Sequence, residues 1–275
     1  MMISLLREKD TDEVIQFLKQ DSIAAAFIIG NVMEFGLDNR KDQRRCGDYY
    51  GYFSKGHLVG ILPFYNMGSC IPLFHEEEVI EPFAQIMIQR PLEVLIGMKK
   101  FVKPLYDIIS GEKNTLTYQE SSYFVNKSLT PFQLEDSSFA EANELDHHRV
   151  VDFVKDAYWQ GFHQQYSLEE VEAFLEQRAI EEEFLFLMAE GKMVAQAYIQ
   201  AATDEINQIG GVYTVEEERG KGYCKALVSK LCQNIILRGK TPTLIVRKNN
   251  FSAVRAYTSL GFTYFDDYLL IKFQV

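Results

Sequence analysis

Residues 210–231 of the chain read GGVYTVEEERGKGYCKALVSKL and carry the most specific local signal in the sequence. Their β-branched and aromatic beginning predicts a strand, which ends in an acidic turn. Apolar residues then recur at helical spacing, so a helix is predicted over residues 221–237. The loop Arg219-Gly220-Lys221-Gly222 therefore joins a strand directly to the start of a helix.

This junction is typical of an anion-binding site. The start of a helix presents backbone N–H groups without partners, together with the positive end of the helix dipole. Gly220 and Gly222 let the backbone approach a ligand without a Cβ in the way. Arg219, Lys221 and Lys225 add the positive charge that a pyrophosphate-containing cofactor needs. A plain strand-to-helix turn is the alternative. The Walker spacing is absent, because it needs four residues between its glycines and a following Lys and Ser/Thr. The GxGxxG spacing is absent too, because Lys225 stands where its third glycine would be.

A second motif, NFSAVRAYTSLGF, occupies residues 250–262. It predicts a short helix with Ala253, Tyr257 and Leu260 on one face. Gly261 is placed as the C-terminal cap of that helix.

Together the two motifs resemble the GNAT superfamily of N-acetyltransferases. The match is to the family's (Q/R)xxGx(G/A) loop, at residues 217–222, and to its Asn-x-x-Ala-x-x-x-Tyr-x-x-x-Gly-Phe helix, at residues 250–262. The resemblance covers about residues 150–273, whereas the first half of the chain shares only the order of its predicted elements. It implies an acyltransferase that moves an acetyl group from acetyl-CoA to a primary amine.

The resemblance also implies a role for particular residues. The strand end would bind the pantetheine arm, the loop would hold the pyrophosphate, and an asparagine would hydrogen-bond the cofactor arm: Val212, Tyr213, Thr214, Arg219, Gly220, Lys221, Gly222, Tyr223 and Asn250. The strand is expected to diverge from the next one, at residues 243–246. Tyr257 would be the general acid that protonates the departing thiolate, since a phenol with a pKa of about 10 matches a thiolate of similar basicity. A core tyrosine on an amphipathic helix is the alternative.

Two positions depart from the family pattern. Glu217 stands where glutamine or arginine is usual, and we expect its carboxylate to face solvent. Gln208 occupies the place of a glutamate that acts as the base in relatives, and an amide cannot accept a proton usefully. The base is therefore open between Glu205, a backbone carbonyl with a water chain, and a residue of the first domain.

The order helix, strand, strand, strand, helix, strand is predicted twice along the chain. We therefore expect an α/β (α+β) protein of two GNAT-like domains, each a mixed, mostly antiparallel sheet flanked by helices. Residues 1–130 would form a degenerate domain without cofactor, and residues 131–275 the acetyltransferase domain. The join is placed within residues 110–138, where apolar patterning weakens.

Composition narrows the function classes. Acidic residues outnumber basic ones by 39 to 28, giving a formal net charge of −11, which argues against nucleic acid or an anionic membrane as partner. The four cysteines form no CxxC pair, which favours reduced thiols and a cytoplasmic location. No signal peptide or membrane span is predicted. No metal is expected, because His147-His148 and His75-Glu76 have no convincing companion ligands.

The sequence says least about which amine accepts the acetyl group. Residues 158–166 are predicted as a loop that either covers the acceptor site, where aromatic faces could hold a cationic amine, or tucks under the core through Trp159 and Phe162. The alternative functions are a non-catalytic acyl-CoA-binding module, favoured by Gln208, and an aminoacyl transferase that draws on tRNA. The charge and the intact loop argue against the latter. The expected partner is a small-molecule or peptide amine, and a homodimer is left open.

Overall fold

The computed structural model describes residues 2–162, 164–179 and 184–274. The chain forms two compact units. One comprises Met1–Tyr123, Ile245–Asn249 and Tyr264–Val275, and the other comprises Phe124–Leu244 and Asn250–Thr263. The predicted division after residue 130 places every later residue in the second domain, whereas two short segments of the second half group with the first unit.

The first unit begins with a strand and two helices and continues with alternating strands and helices. Its elements are β1 (Met2–Leu5), α1 (Thr11–Leu18), α2 (Ser22–Phe35), β2 (Gly47–Ser54), β3 (His57–Tyr65), β4 (Ser69–Cys70), β5 (Leu73–Phe74), α3 (Ile80–Gln89), β6 (Val94–Met98) and α4 (Lys99–Ile109). The predicted strand break at Lys55-Gly56 is confirmed, and both residues have positive φ. Buried apolar side chains of α1, such as Val14 and Phe17, contribute to its core.

The boundary between the two units, after Tyr123, falls within residues 110–138, where the sequence places the join. Strand β7 (Thr115–Asn126) lies in the same segment and was not predicted from the sequence. The reason is visible in its burial. Residues 115–118 are exposed, whereas residues 121–126 are buried and include Ser121, Ser122 and Asn126. A strand with an exposed beginning and polar buried positions does not show the apolar alternation that predicts strands.

The second unit repeats this order. Its first elements are β8 (Ser138–Glu141), α5 (His147–Phe162), α6 (Leu168–Ala179), β9 (Phe184–Ala189), β10 (Lys192–Ala202), β11 (Ile206–Thr214) and α7 (Tyr223–Leu237). The remaining elements of the chain are β12 (Thr241–Arg247), α8 (Phe251–Ser259) and β13 (Phe262–Phe273). The predicted recurrence of helix, strand, strand, strand, helix, strand is therefore confirmed.

Each unit contains a mostly antiparallel sheet that includes a parallel pair of strands. In the second unit the strand order is β12-β11-β10-β9-β8, and only β11 and β12 run parallel. In the first unit β4 and β6 make the equivalent parallel pair. This agrees with the predicted mixed sheets flanked by helices.

The sheet of the first unit is completed from the C-terminal region. Strand β13 pairs antiparallel with β6, in a register that runs from Tyr268 opposite Met98 to Lys272 opposite Val94. The pairing explains why residues after 264 group with the first unit.

The helices of the second unit enclose its sheet. On one face, α5 and α6 pack on β9 and β10 through a buried cluster that includes Val150, Val154, Val171 and Phe186. Helix α7 packs against β10 and β11 with buried residues such as Leu227. In the part of the chain that the structure describes, no helix is both long and apolar enough to cross a membrane.

Candidate active site

The loop before α7 has the backbone shape that its glycines allow. Gly222 is the N-cap of α7 with φ of 88°, and Gly220 has φ of 84°. Both values lie in the left-handed region, which glycine adopts without cost. A Cβ added at Gly220 would have no other atom within 4 Å, so the loop is open above this residue.

The loop also presents a run of backbone donors. The N–H groups of residues 220–225 donate to no backbone carbonyl among the described residues, and the next N–H, that of Ala226, bonds Gly222 O at 2.9 Å. A helix start with unpaired N–H groups carries partial positive charge and binds anions. The geometry fits the pyrophosphate site expected from the sequence.

The three cations of the loop differ in their partners. Arg219 Nε donates to Thr214 O at 3.2 Å, and its guanidinium lies 3.8 Å from Glu216. Lys221 Nζ lies 2.7 Å from Glu218 Oε2. Lys225 Nζ instead lies 4.2 Å from the ring centroid of Phe132.

Glu217 is exposed to solvent, as expected from the sequence. Its carboxylate therefore does not block the loop.

Strand β11 diverges from its parallel neighbour, as predicted. The two strands pair only from Ile206 opposite Thr241 to Ile209 opposite Leu244, whereas β11 continues to Thr214. The Thr214 hydroxyl is buried and has no hydrogen-bond partner among the described residues. A buried hydroxyl without a hydrogen-bond partner lowers the stability of the fold. A ligand that bonds this hydroxyl would remove that cost, which is consistent with a binding site at the end of the strand.

The other face of the strand end packs on α5. The Tyr213 hydroxyl donates to Gln160 Oε1 at 2.9 Å, and its ring packs edge-on against Phe153 at 6.0 Å. Burial raises the pKa of Tyr213, the charge of Arg219 opposes this rise, and Asp156 on α5 adds to it. The side chain of Tyr213 thus belongs to the α5 face of the sheet, and its backbone pairs with Gln196 of β10.

A bulge interrupts β11 next to this point. The register shifts between Gln196 and Tyr198, and Gly211 has φ of 58° with the Tyr198 ring where a Cβ would stand. Gln196 is fully buried and donates through Nε2 to Gly211 O at 3.3 Å. The Tyr198 hydroxyl lies 2.8 Å from that of Tyr158. The sequence gives no sign that these polar side chains meet, because they belong to α5 and β10, and Tyr158 and Tyr198 are 40 residues apart along the chain.

The second motif forms helix α8 as predicted. Asn250 caps the helix, and its Oδ1 accepts from Ala253 N at 3.2 Å and Ser252 Oγ at 3.0 Å. Gly261 follows the helix with φ of 92°, and a Cβ there would lie 2.0 Å from Ser128 O. The predicted cap is therefore confirmed.

Tyr257 is 6% exposed and lies beside Cys224 at the start of α7. Burial, and then the neighbouring Cys224 thiol, raise the pKa of Tyr257 well above 10. Burial raises the pKa of Cys224 to about 11, although the Tyr257 hydroxyl hydrogen-bonds its sulfur and opposes that shift. Both groups are therefore protonated at neutral pH.

No carboxylate takes the place of the missing base on β11. Gln208 is buried, opposite Ala201 on one side and Thr243 on the other. Glu205 is exposed and lies just before the start of β11, whereas the loop follows the end of that strand. Asp156 is a carboxylate that the sequence did not single out, and it lies on α5 one helical turn before Gln160, which accepts the hydrogen bond from Tyr213.

A shallow cavity of about 240 Å³ adjoins Asp156, lined by Lys155, Asp156, Trp159, Gln164, Gln165 and Tyr166. It lies in the predicted acceptor-covering segment, but residues up to 162 are helical, so the prediction of a loop from residue 158 is wrong there. Trp159 is 58% exposed, which contradicts the alternative of a segment tucked under the core through this residue. His163 and the side chain of Phe162 lie outside the described residues.

Among the described residues, no group of three or more His, Cys, Asp and Glu side chains is arranged to hold a metal ion. His147 lies 3.9 Å from Glu172 and beside His148 on the surface.

Comparisons with known proteins agree with the fold described above. Residues 188–271 match the family described as FR47-like protein. No curated protein matches the chain by sequence.

Solved structures share the fold over the whole chain. A GCN5-related N-acetyltransferase from Sphaerobacter thermophilus is 14% identical, with 98% of this chain and 94% of that chain covered and a TM-score of 0.67. A GNAT-family acetyltransferase from Colwellia psychrerythraea is 15% identical, with both chains covered at 100% and a TM-score of 0.62. A tandem GNAT protein from the clavulanic acid biosynthesis pathway is 10% identical, with 98% and 97% covered and a TM-score of 0.58. The chain thus has the GNAT fold in a tandem arrangement, with an FR47-like segment in its second half.

Proposed function

We propose that the chain is an acyltransferase that moves an acetyl group from acetyl-CoA to a primary amine of a small molecule or peptide. The observation that carries the proposal is the run of N–H groups at residues 220–225, which have no backbone partner in the described part of the chain and include two left-handed glycines. It coincides with the diverging end of β11 and falls inside the FR47-like match. The GNAT fold is one that supports acyl transfer.

The residues fit coenzyme A in kind. The open loop around Gly220 would take the pyrophosphate. The edge of residues 212–214 that β12 leaves unpaired, with the Thr214 hydroxyl, would take the amide-containing arm. The Oδ1 of Asn250 is engaged in capping, so its Nδ2 donors are the groups left for the cofactor arm. Bound acetyl-CoA would supply a thioester whose carbonyl carbon an amine can attack.

Tyr257 would supply the proton for the leaving sulfur. As the new C–N bond forms and the C–S bond breaks, the thiolate takes the Tyr257 hydroxyl proton. Burial holds the pKa of Tyr257 well above 10, so this proton is present across the neutral range, but the phenol is a weaker acid than the pKa of about 10 that matches the thiolate. A positioned general acid contributes about 100-fold to 10,000-fold to rate.

The amine must lose a proton before it attacks. Gln208 cannot take that proton. We assign cation capture to the cavity formed by Asp156 with the faces of Trp159 and Tyr166, where a carboxylate and aromatic rings attract an ammonium. Proton loss would then proceed to Asp156 directly or through water.

A non-catalytic acyl-CoA-binding module is the second candidate. Two observations favour it: Gln208 is buried where relatives carry a base, and the Tyr257 hydroxyl already has Cys224 as a partner. This module would bind coenzyme A through the same loop and release no thiol.

Calorimetry with coenzyme A and a thiol-release assay with acetyl-CoA against a panel of amines separate the candidates. We expect one coenzyme A per chain, because in the first unit the acidic residues Glu76, Glu77 and Glu78 precede α3, with no glycine among them. Two equivalents would contradict the assignment of a degenerate first domain. Binding without thiol release for any amine would favour the module, and no binding at all would overturn both proposals.

A further inference from the structure

The segment before β8 runs along the start of α7. Phe132 N donates to Ser229 Oγ at 2.9 Å. The Phe132 ring lies 3.4 Å from the point where a Cβ of Gly222 would stand. The ring therefore lies directly beside the loop proposed to hold the pyrophosphate.

Lys225 occupies the third position of α7 and rests its ammonium on this ring, at 4.2 Å from the centroid. The contact of a lysine with an aromatic face at an exposed site is weaker than a charged hydrogen bond to phosphate. The ring thus holds the ammonium in place without satisfying its three donors.

The availability of this charge distinguishes Lys225 from its neighbours. Arg219 and Lys221 each lie within 4.0 Å of a carboxylate of the adjoining turn. Across the described ranges, Lys225 has no ion pair with a carboxylate. A phosphate would therefore meet Lys225 without first displacing an acidic side chain.

We propose that Lys225, positioned by the ring of Phe132, binds the phosphate on the ribose of coenzyme A, the group that dephospho-coenzyme A lacks. The inference rests on the proposed function, since it takes the pyrophosphate to lie on residues 220–225. Coenzyme A carries three phosphates, and the run of N–H groups accounts for the two of the pyrophosphate. The third needs a separate cation close to the same helix start, and Lys225 provides it.

The test compares two ligands on three proteins by calorimetry. The parent protein should bind coenzyme A about 10-fold more tightly than dephospho-coenzyme A, the size of one charge-assisted contact. Lys225→Met keeps the length of the side chain and should bring this ratio close to one by weakening coenzyme A alone. Lys230→Met, on the same helix, removes an equal charge and should leave the ratio near the parent value.

Phe132→Leu tests the positioning role. It keeps an apolar side chain and removes the aromatic face, so the ratio should fall by about 2-fold to 3-fold, in line with the loss of a weak cation–π contact. Thermal melting without ligand checks that each variant is folded.

Different failures have different meanings. A parent protein that binds neither ligand overturns the proposed function. A Lys225→Met protein that weakens both ligands equally places Lys225 on the pyrophosphate and overturns this inference alone. An unchanged ratio in Lys225→Met, or equal effects of Lys225→Met and Lys230→Met, also overturns it.

Discussion

Lys248 Nζ lies 2.8 Å from Asp267 Oδ2, and the two residues belong to a ring of alternating charges in the first unit. Lys99 and Glu120 complete the ring, with Lys99 3.1 Å from Glu120 and Lys248 3.1 Å from the other oxygen of Glu120. The Tyr264 hydroxyl donates to Asp267 Oδ1 at 2.9 Å. The ring ties strand β13 to the residues that follow β6 and β12.

Asp267→Asn should lower stability by about 0.5–1 kcal/mol, the range of partly exposed ion pairs. The hydrogen bond from Lys248 is the main cause that lowers the pKa of Asp267 below its ordinary value of 3.8. A lowered pKa gives stability that is present above the unfolded value and is lost as the pH falls through the folded one. Thermal melts at pH 7 in low and high salt should show a smaller difference in high salt. Asp42→Asn, at an exposed site, is the control for the change of net charge. If Asp267→Asn and Asp42→Asn lower the stability equally, the ring of charges is not the cause of the loss.

Gly220→Val should abolish the rise in melting temperature that coenzyme A causes. The valine meets no atom of the protein, so the structural cost is limited to about 1–2 kcal/mol for its positive φ. Its side chain would instead fill the open space of the loop. Gly239→Val is a matched control, because Gly239 has φ of 74° and equally open surroundings after the end of α7. If folded Gly220→Val still shows the rise in melting temperature with coenzyme A, the pyrophosphate binds at another site.

Tyr257→Phe separates catalysis from packing. Turnover should fall by about 100-fold to 10,000-fold with little change in coenzyme A affinity, because the ring stays packed and only the proton donor is lost. Steady-state thiol release and calorimetry on the same preparations measure both quantities. Tyr268→Phe, which alters a buried tyrosine of the first unit, should leave turnover per folded molecule unchanged. If the parent and Tyr257→Phe turn over equally, Tyr257 has only a packing role in the core.

Gly261→Ala should destabilise the second unit by at least about 2 kcal/mol, because alanine is strained at φ of 92° and its Cβ would meet the Ser128 carbonyl. Denaturant unfolding measures the loss. Gly111→Ala is the control, since no atom lies within 4 Å of a Cβ at Gly111. A loss no greater than that of the control would show that the segment around Ser128 adapts freely.

The sequence predicts the elements whose signal is local. The loop at Gly220 and the cap at Gly261 depend on glycines at fixed offsets from a helix, so both are found from the sequence alone. Helix α2 is missed for the opposite reason. Its residues are apolar nearly all round, with Ala25, Ile28 and Asn31 buried together, so no amphipathic period is present.

Contacts between distant residues have no local signal. Phe132 reaches Gly222 only through the fold, and its place before β8 gave no reason to connect it with the loop. Gln196 is likewise an unremarkable residue of a strand until the bulge of β11 brings Gly211 against its amide. The sequence alone shows that Gln208 stands where relatives carry a carboxylate. It does not show that Asp156 lies near Tyr213.

Because β13 pairs with β6, the sheet of the first unit can be completed only late in synthesis. Residues 94–98 emerge from the ribosome early, but their partners at residues 268–272 are made near the end of the chain as given. Until then the edge of β6 is open to other strands, which is a risk for wrong pairing between nascent chains. A chain of this design therefore gains its full first sheet only after the second unit has been made.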